Sequence, residues 1–487
     1  MNVAEFLQNF LYPPRAVSDV KGYGETLSER FPRLSAAEVS ARTSRTDRPV
    51  VIMFIALITG IGAGAAAYLL KLGIAGLSLG VTSFFDPKSL NWWFILLPVI
   101  GLVTVGIFQR YIIRRKLYHG EDRLRHDFMM QRPYLPSSLT YNPLIACIIT
   151  LGFGGSAGSE GPIAYSGAAI GSNVGGWIGM SPRTVRFMTG IGAGAGIAGI
   201  FKAPVGGMLF TIEVLGIELT TMAVAALVVA CVASAMTAYC LSGFTPDIAF
   251  ANESPINLDH WPLILLFGVF CGLYSAYYSG SMKLAARWLG KLKNPWVKNI
   301  AAGLSIGIML YLFPSLYGEG YGIVGALLNG SWQHIVEGGI MTSVSNLPMM
   351  LLLGALGLML LKCFATAATN DGGGVTGDFA PTIMIGSVTG FFYAFLITHW
   401  LGIPLQISDY VFMGMAGILS GAIGAPLMAM FLVTEMATMG YGQFLPVAIV
   451  ATISYLTVCL VRFIGLKMSQ GFRHDGCKDP RLTDSQE

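Results

Sequence analysis

Eight long apolar windows constrain this chain more than any other feature. They run near 50–77, 91–113, 217–243, 260–281, 298–314, 346–368, 382–402 and 442–466. Each approaches or exceeds the roughly 20 residues that cross a bilayer as a helix. In lipid, backbone N–H and C=O groups must be satisfied within the protein, and an α-helix does this inside one segment. The expected fold is therefore an all-α polytopic membrane protein. Charged residues make up only 11% of the chain, against about 25% in soluble domains. Two further stretches, 139–215 and 369–436, are less apolar and dense in Gly and Pro. They predict short, tilted or broken helices inside the protein, where irregular backbone is tolerated at membrane depth. The 61 glycines suit close helix packing in lipid. A hydrophobic content of 54% excludes low-complexity disorder.

Basic residues cluster: seven in 1–48, seven in 110–132, five in 283–298, five in 462–481, with Arg183, Arg186 and Lys202 between. The loops 245–260, 315–345 and 403–409 hold none. By the positive-inside rule this places both termini in the cytoplasm. The first 48 residues are polar and lack an apolar h-region, so no cleavable signal peptide is expected. The chain divides into a cytoplasmic segment 1–48, a first membrane half 49–244, a second half 245–466, and a short tail 467–487 without a regulatory domain. A net charge of +4 on so apolar a chain gives no nucleic-acid-binding domain. The seven cysteines show no short paired spacing and read as core residues rather than disulfides or metal ligands. No metal or cofactor is expected.

Two segments repeat at long range. The first carries Gly158-Ser159-Glu160-Gly161-Pro162, then Ala203-Pro204 and Glu213; the second carries Gly377-Asp378-Phe379-Ala380-Pro381, then Ala425-Pro426 and Glu435. In both, the Ala-Pro proline precedes the glutamate by nine residues, and KAPVGGMLFTIEVL answers GAPLMAMFLVTEM. Paired Gly/Pro-interrupted segments point to the substrate site of a transporter. The repeat alone does not say whether the halves are inverted.

Pro162 and Pro381 suit the first turn of a helix. Free amides at a helix start, with the positive end of its dipole, form an anion site. Such partial charges allow both binding and release, where a bare Lys or Arg would hold an anion too long. Glu160 lies within this motif. An intramembrane carboxylate is a functional candidate, and this one could occupy the amide site as a competitor for the permeant ion. Glu213 and Glu435 end apolar runs, where capping or ion pairing is their ordinary role.

These residues resemble the CLC family of chloride channels and chloride/proton antiporters. The family's Gly-x-Glu-Gly-Pro motif is met by GSEGP at 158–162, and Gly-x-Phe-x-Pro by GDFAP at 377–381. The resemblance runs from about residue 50 to 466. It implies two inverted halves of tilted and broken helices, and a homodimer with one anion pathway per subunit. It implies chloride or a similar small anion as the ion moved, with protons as a possible counter-substrate, and no enzymatic activity. It makes Glu160 the gating residue and places anion ligands around Ser159, Gly161, Asp378, Phe379 and Ala380. An inner-membrane location follows if the source is bacterial.

The chain departs from the family pattern at several places. The first anion motif falls at Tyr118-His119-Gly120-Glu121-Asp122, where His119 stands in for a coordinating serine and could donate an imidazole N–H. No tyrosine follows the last span; Lys467 or Met468 lies nearby. Val214 holds the place of the internal glutamate of proton-coupled members. These departures lean toward weak or absent proton coupling, with a chloride/proton antiporter of unusual proton route as the alternative. Asp378, in a commonly aliphatic position, is expected to turn from the pore or meet a cation. Pro162 disfavours fluoride selectivity. A cation-coupled carrier recruiting Glu160, Glu213, Glu435 and Asp378 is a rival of another class. An intramembrane enzyme would have only Ser159, Glu160, His119 or His126 to work with, without a nucleophile elbow or HExxH motif.

Overall fold

The structure is a computed structural model. It describes residues 47–83, 92–114, 117, 134–217, 220–245, 260–339, 347–438 and 440–475, with side chains given through 464. Fifteen α-helices appear among these residues. In chain order they are α1 (Pro49–Thr82), α2 (Trp93–Ile107), α3 (Asn142–Gly152), α4 (Glu160–Ile178), α5 (Pro182–Phe201), α6 (Pro204–Leu209), α7 (Thr221–Leu241) and α8 (Trp261–Gly290). They continue as α9 (Pro295–Leu312), α10 (Tyr321–Leu328), α11 (Leu347–Asp371), α12 (Phe379–Trp400), α13 (Ile407–Leu419), α14 (Pro426–Met436) and α15 (Phe444–Asp475). Each of the eight apolar windows contains a long helix among its described residues, and Pro182–Phe201 and Ile407–Gly424 are also long and apolar enough to cross a membrane. The protein is a multi-pass integral membrane protein.

Helix boundaries follow local chemistry. Proline opens α5, α6, α9 and α14, where a missing N–H costs nothing. The Ser181 side chain caps α5 by accepting from the Thr184 N–H, and Thr220 caps α7 through Ala223. Between α4 and α5 the chain reverses at Gly179, with φ 83°, a conformation that favours glycine.

The Gly-rich helices form the centre. In the α12 window 89% of residues are buried, against 28% for the Trp93–Ile113 span. The outer spans show large apolar side chains, among them Phe54, Leu69, Val232, Leu266 and Leu456, as a lipid-facing surface requires. Close approach in the centre depends on glycine. A Cβ on Gly167 or on Gly192 would strike the other's carbonyl, which locks α4 against α5; Gly386 and Gly414 do the same for α12 and α13.

The two halves are joined by reciprocal contacts. The Ser156 N–H donates to Thr369 Oγ1, and the Val375 N–H donates to Thr150 Oγ1. Glu213, just beyond α6, accepts from the Leu427 and Met428 amides that open α14, at 3.3 and 2.8 Å. Glu435, near the end of α14, accepts from the Val205 and Gly206 amides that open α6, at 3.1 and 2.8 Å. Each carboxylate therefore caps the equivalent helix of the other half, so α6 and α14 lie antiparallel. The halves are inverted with respect to each other. Glu435→Gln retains one acceptor and loses the charge at a helix start, so it should cost about 1 kcal/mol of stability. Thermal unfolding of the purified variant in detergent measures this, and an unchanged midpoint would remove Glu435 from the cap.

One grouping made from the sequence is corrected. Arg183 and Arg186 lie at the first turn of α5 and Lys202 at its far end. A 20-residue helix separates them, so they do not form one basic cluster. Lys202 instead donates to the Thr245 carbonyl at 2.6 Å and lies over the Tyr239 ring.

Candidate functional site

The two repeated motifs meet backbone to backbone. Gly158 and Gly377 exchange both amide–carbonyl hydrogen bonds, at 2.9 and 2.7 Å, as an isolated antiparallel pair. Two residues later each chain turns into a helix, α4 at Glu160 and α12 at Phe379. Pro162 and Pro381 both fall in the first turn. Ser159 and Asp378 occupy the equivalent N-cap positions, and neither side chain caps its own helix. First-turn amides are thereby left for other acceptors.

Glu160 takes one of them. Its carboxylate, 1% exposed, reaches into the other half and accepts from the Ala380 N–H at 2.5 Å. The side chain folds back over Gly158, where any Cβ would collide with the carboxylate. Phe379, fully buried, packs edge-on against Phe210 with ring centroids 5.8 Å apart. Gly161 lies against the Thr376 carbonyl, which an added Cβ would approach to 3.0 Å. The start of α12 thus already has an acceptor, the tethered Glu160 carboxyl group of the opposite half.

Ser159 is drawn elsewhere. Its N–H donates to Glu319 Oε1 at 3.1 Å, and its hydroxyl donates to the same oxygen. The Asp378 carboxylate accepts from Asn370 Nδ2 at 2.6 Å, which turns it toward α11. His119 and its motif lie outside the described residues, as do the side chains of Lys467 and Met468. Val214 packs, partly buried, against the core. The structure therefore brings Ser159, Glu160, Gly161, Asp378, Phe379 and Ala380 together.

Two residues of this site carry no motif. Lys362 sits within the α11 span, fully buried. Its ammonium donates to Ser156 Oγ at 2.9 Å and to the Gly318 carbonyl at 3.4 Å. Glu319 and Glu160 both lie near enough to act on it through space. Among the described residues, Glu319 and Asp378 are acidic groups that act on Glu160 through space. A lone lysine inside the apolar run 346–368 is the signal that could have found Lys362. Glu319 gave none, because it lies in an ordinary loop, Gly318-Glu319-Gly320.

The protein has an inverted-repeat membrane fold in which two helix starts meet at a buried glutamate side chain. Comparison with known proteins gives the family and the fold. The family described as "Voltage gated chloride channel" matches residues 100–458, and the chain belongs to that family. The "Putative chloride channel protein ClcB-like" of Ralstonia nicotianae is 24% identical over 394 residues, covering 79% of this chain and 86% of that protein. Among solved structures, a CLC-type fluoride/proton antiporter matches with TM-score 0.67 and 21% identity, covering 87% of this chain and 96% of its own. A slow cyanobacterial Cl-/H+ antiporter matches with TM-score 0.67 and 20% identity, covering 84% and 94%. These structural likenesses establish the CLC fold.

Proposed function

We propose that this protein conducts chloride or a similar small anion through the site at the start of α12, and that Glu160 is its gate. One observation carries the reading: the Glu160 carboxylate occupies the Ala380 amide. A permeant anion competes for that amide, and protonation of Glu160 removes the competitor's charge. Phe379 and Gly161 shape the same place. The relatives support chloride through the names they bear. In this reading 49–244 and 245–466 are the two halves, both termini are cytoplasmic, and the protein works as a homodimer with one pathway per subunit.

Proton coupling is weak or absent in this reading. Val214 provides no carboxylate where coupled members have one. The antiporter names among the relatives keep a chloride/proton exchanger as the second reading. Purified protein in chloride-loaded liposomes decides between them. Efflux should need only a potassium ionophore and should leave external pH unchanged. Uphill proton movement driven by a chloride gradient would establish the exchanger. Folded protein with no halide efflux would sink both.

A further inference from the structure

Hydroxyls between two membrane-spanning helices ordinarily serve as glue. Between α8 and α11 two of them do so: the Tyr274 hydroxyl donates to the Met359 carbonyl at 2.7 Å, and the Tyr277 hydroxyl to the Leu360 carbonyl at 3.1 Å. Tyr278 of α8 and Thr366 of α11 do not. Tyr278 is 3% exposed, Thr366 is fully buried, and the two lie beside each other. Neither hydroxyl has a hydrogen-bond partner among the described residues. An unpaired buried hydroxyl is costly, and ordered water is its usual partner. The pair also faces the functional centre. Asp378 and Glu160 both lie near enough to act on Tyr278 through space. Thr366 stands one turn before Asn370 on α11, and Asn370 donates to Asp378 while accepting from Thr376.

We propose that Tyr278 and Thr366 hold a buried water between α8 and α11, and that this water carries protons to and from Glu160. The surrounding charge selects the occupant. Asp378 and Glu160 are acids, which repel an anion and favour a neutral molecule able to bear a proton. Hydroxyls suit the task, because each can donate and accept at once. The water gives one proton to the Glu160 carboxylate and takes one from a hydroxyl, which regains its own from solvent water beyond. Water and hydroxyl end neutral, and only Glu160 changes charge. Other titratable groups face the two ends of this route. Glu319 and Asp378 act on Glu160, Glu160 acts on Cys147 of α3 and Lys362 of α11, and Cys363 of α11 acts on Tyr278. Those groups set how tightly Glu160 keeps its proton, whereas Tyr278 and Thr366 set how fast it arrives. The inference rests on Glu160 as the gate.

Time-resolved infrared spectroscopy of the full chain in liposomes, after a light-triggered drop in pH, tests it. The signal followed is the carboxyl band that disappears in Glu160→Gln. Tyr278→Phe and Thr366→Val should each slow the rise of that band by roughly tenfold, one ordinary hydrogen bond's worth in the barrier. Thr366→Ser keeps the hydroxyl and should keep the native rate. Halide efflux at acid pH should stay native in all three, which shows that they fold; Thr366→Val carries the test alone if Tyr278→Phe does not. A native rate in the folded variants that lack a hydroxyl would overturn the relay and leave the gate standing. Equal slowing in Thr366→Ser would also overturn it, since packing would then be the cause. No carboxyl band that depends on Glu160 would count against the gate itself.

Discussion

Glutamine at position 160 is expected to raise anion flux at alkaline pH, where Glu160 is ionised, by roughly tenfold and to flatten its dependence on external pH. In the native protein the competitor at the Ala380 amide is the Glu160 carboxyl group, and its hydrogen bond is charge-assisted whenever that group is ionised. Glutamine offers a neutral acceptor of nearly the same size. The difference between charged and neutral acceptors is about 1.5 kcal/mol, or roughly a factor of ten in occupancy. The sign follows directly. Acidification protonates the native carboxylate and frees the amide, so native flux should rise as pH falls. The glutamine variant has no proton to gain and should run near the acid level throughout. Liposome efflux over a pH series measures both effects. Native-like flux with a native-like pH response would show that Glu160 merely plugs the first turn of α4.

Methionine in place of Lys362 is expected to cost about 3–5 kcal/mol, the range for removing one partner from a buried charged group. Lys362 is fully buried, and Glu160 and Glu319 both act on it through space. Methionine fills much the same volume, so the loss reports charge and hydrogen bonding more than packing. Ser156 and the Gly318 carbonyl also lose a donor. The double variant Lys362→Met/Glu319→Gln should recover part of the loss, because one uncompensated carboxylate has gone. A coupling of about 1–3 kcal/mol in the thermodynamic cycle is the expected size for residues in one network. Additive losses would show that Lys362 and Glu319 act independently.

The length of the apolar runs and the composition were enough to read the fold class. Lipid gives the backbone no hydrogen-bond partners, so a run of apolar residues of sufficient length has few structures open to it. The Gly/Pro-rich stretches marked the broken centre for a related reason: α5 and α12 are tightly packed, and only glycine lets α4 meet α5 and α12 meet α13. Glu213 and Glu435 were legible as helix-end acids. That each caps the other half's helix was not, since the sequence repeat carries no direction.

The site divides along the same line. Local sequence determined two helix starts, each with a proline in its first turn and a carboxylate beside it. Tertiary structure alone decided that the starts face each other, that Glu160 crosses to Ala380 while Ser159 turns to Glu319, and that Lys362 stands behind. These contacts join residues that are 160 to 220 positions apart in the chain. A helix start and its proline depend on neighbours within one turn, and a motif can record them. A buried charge depends on what the fold places around it, and no local pattern encodes that.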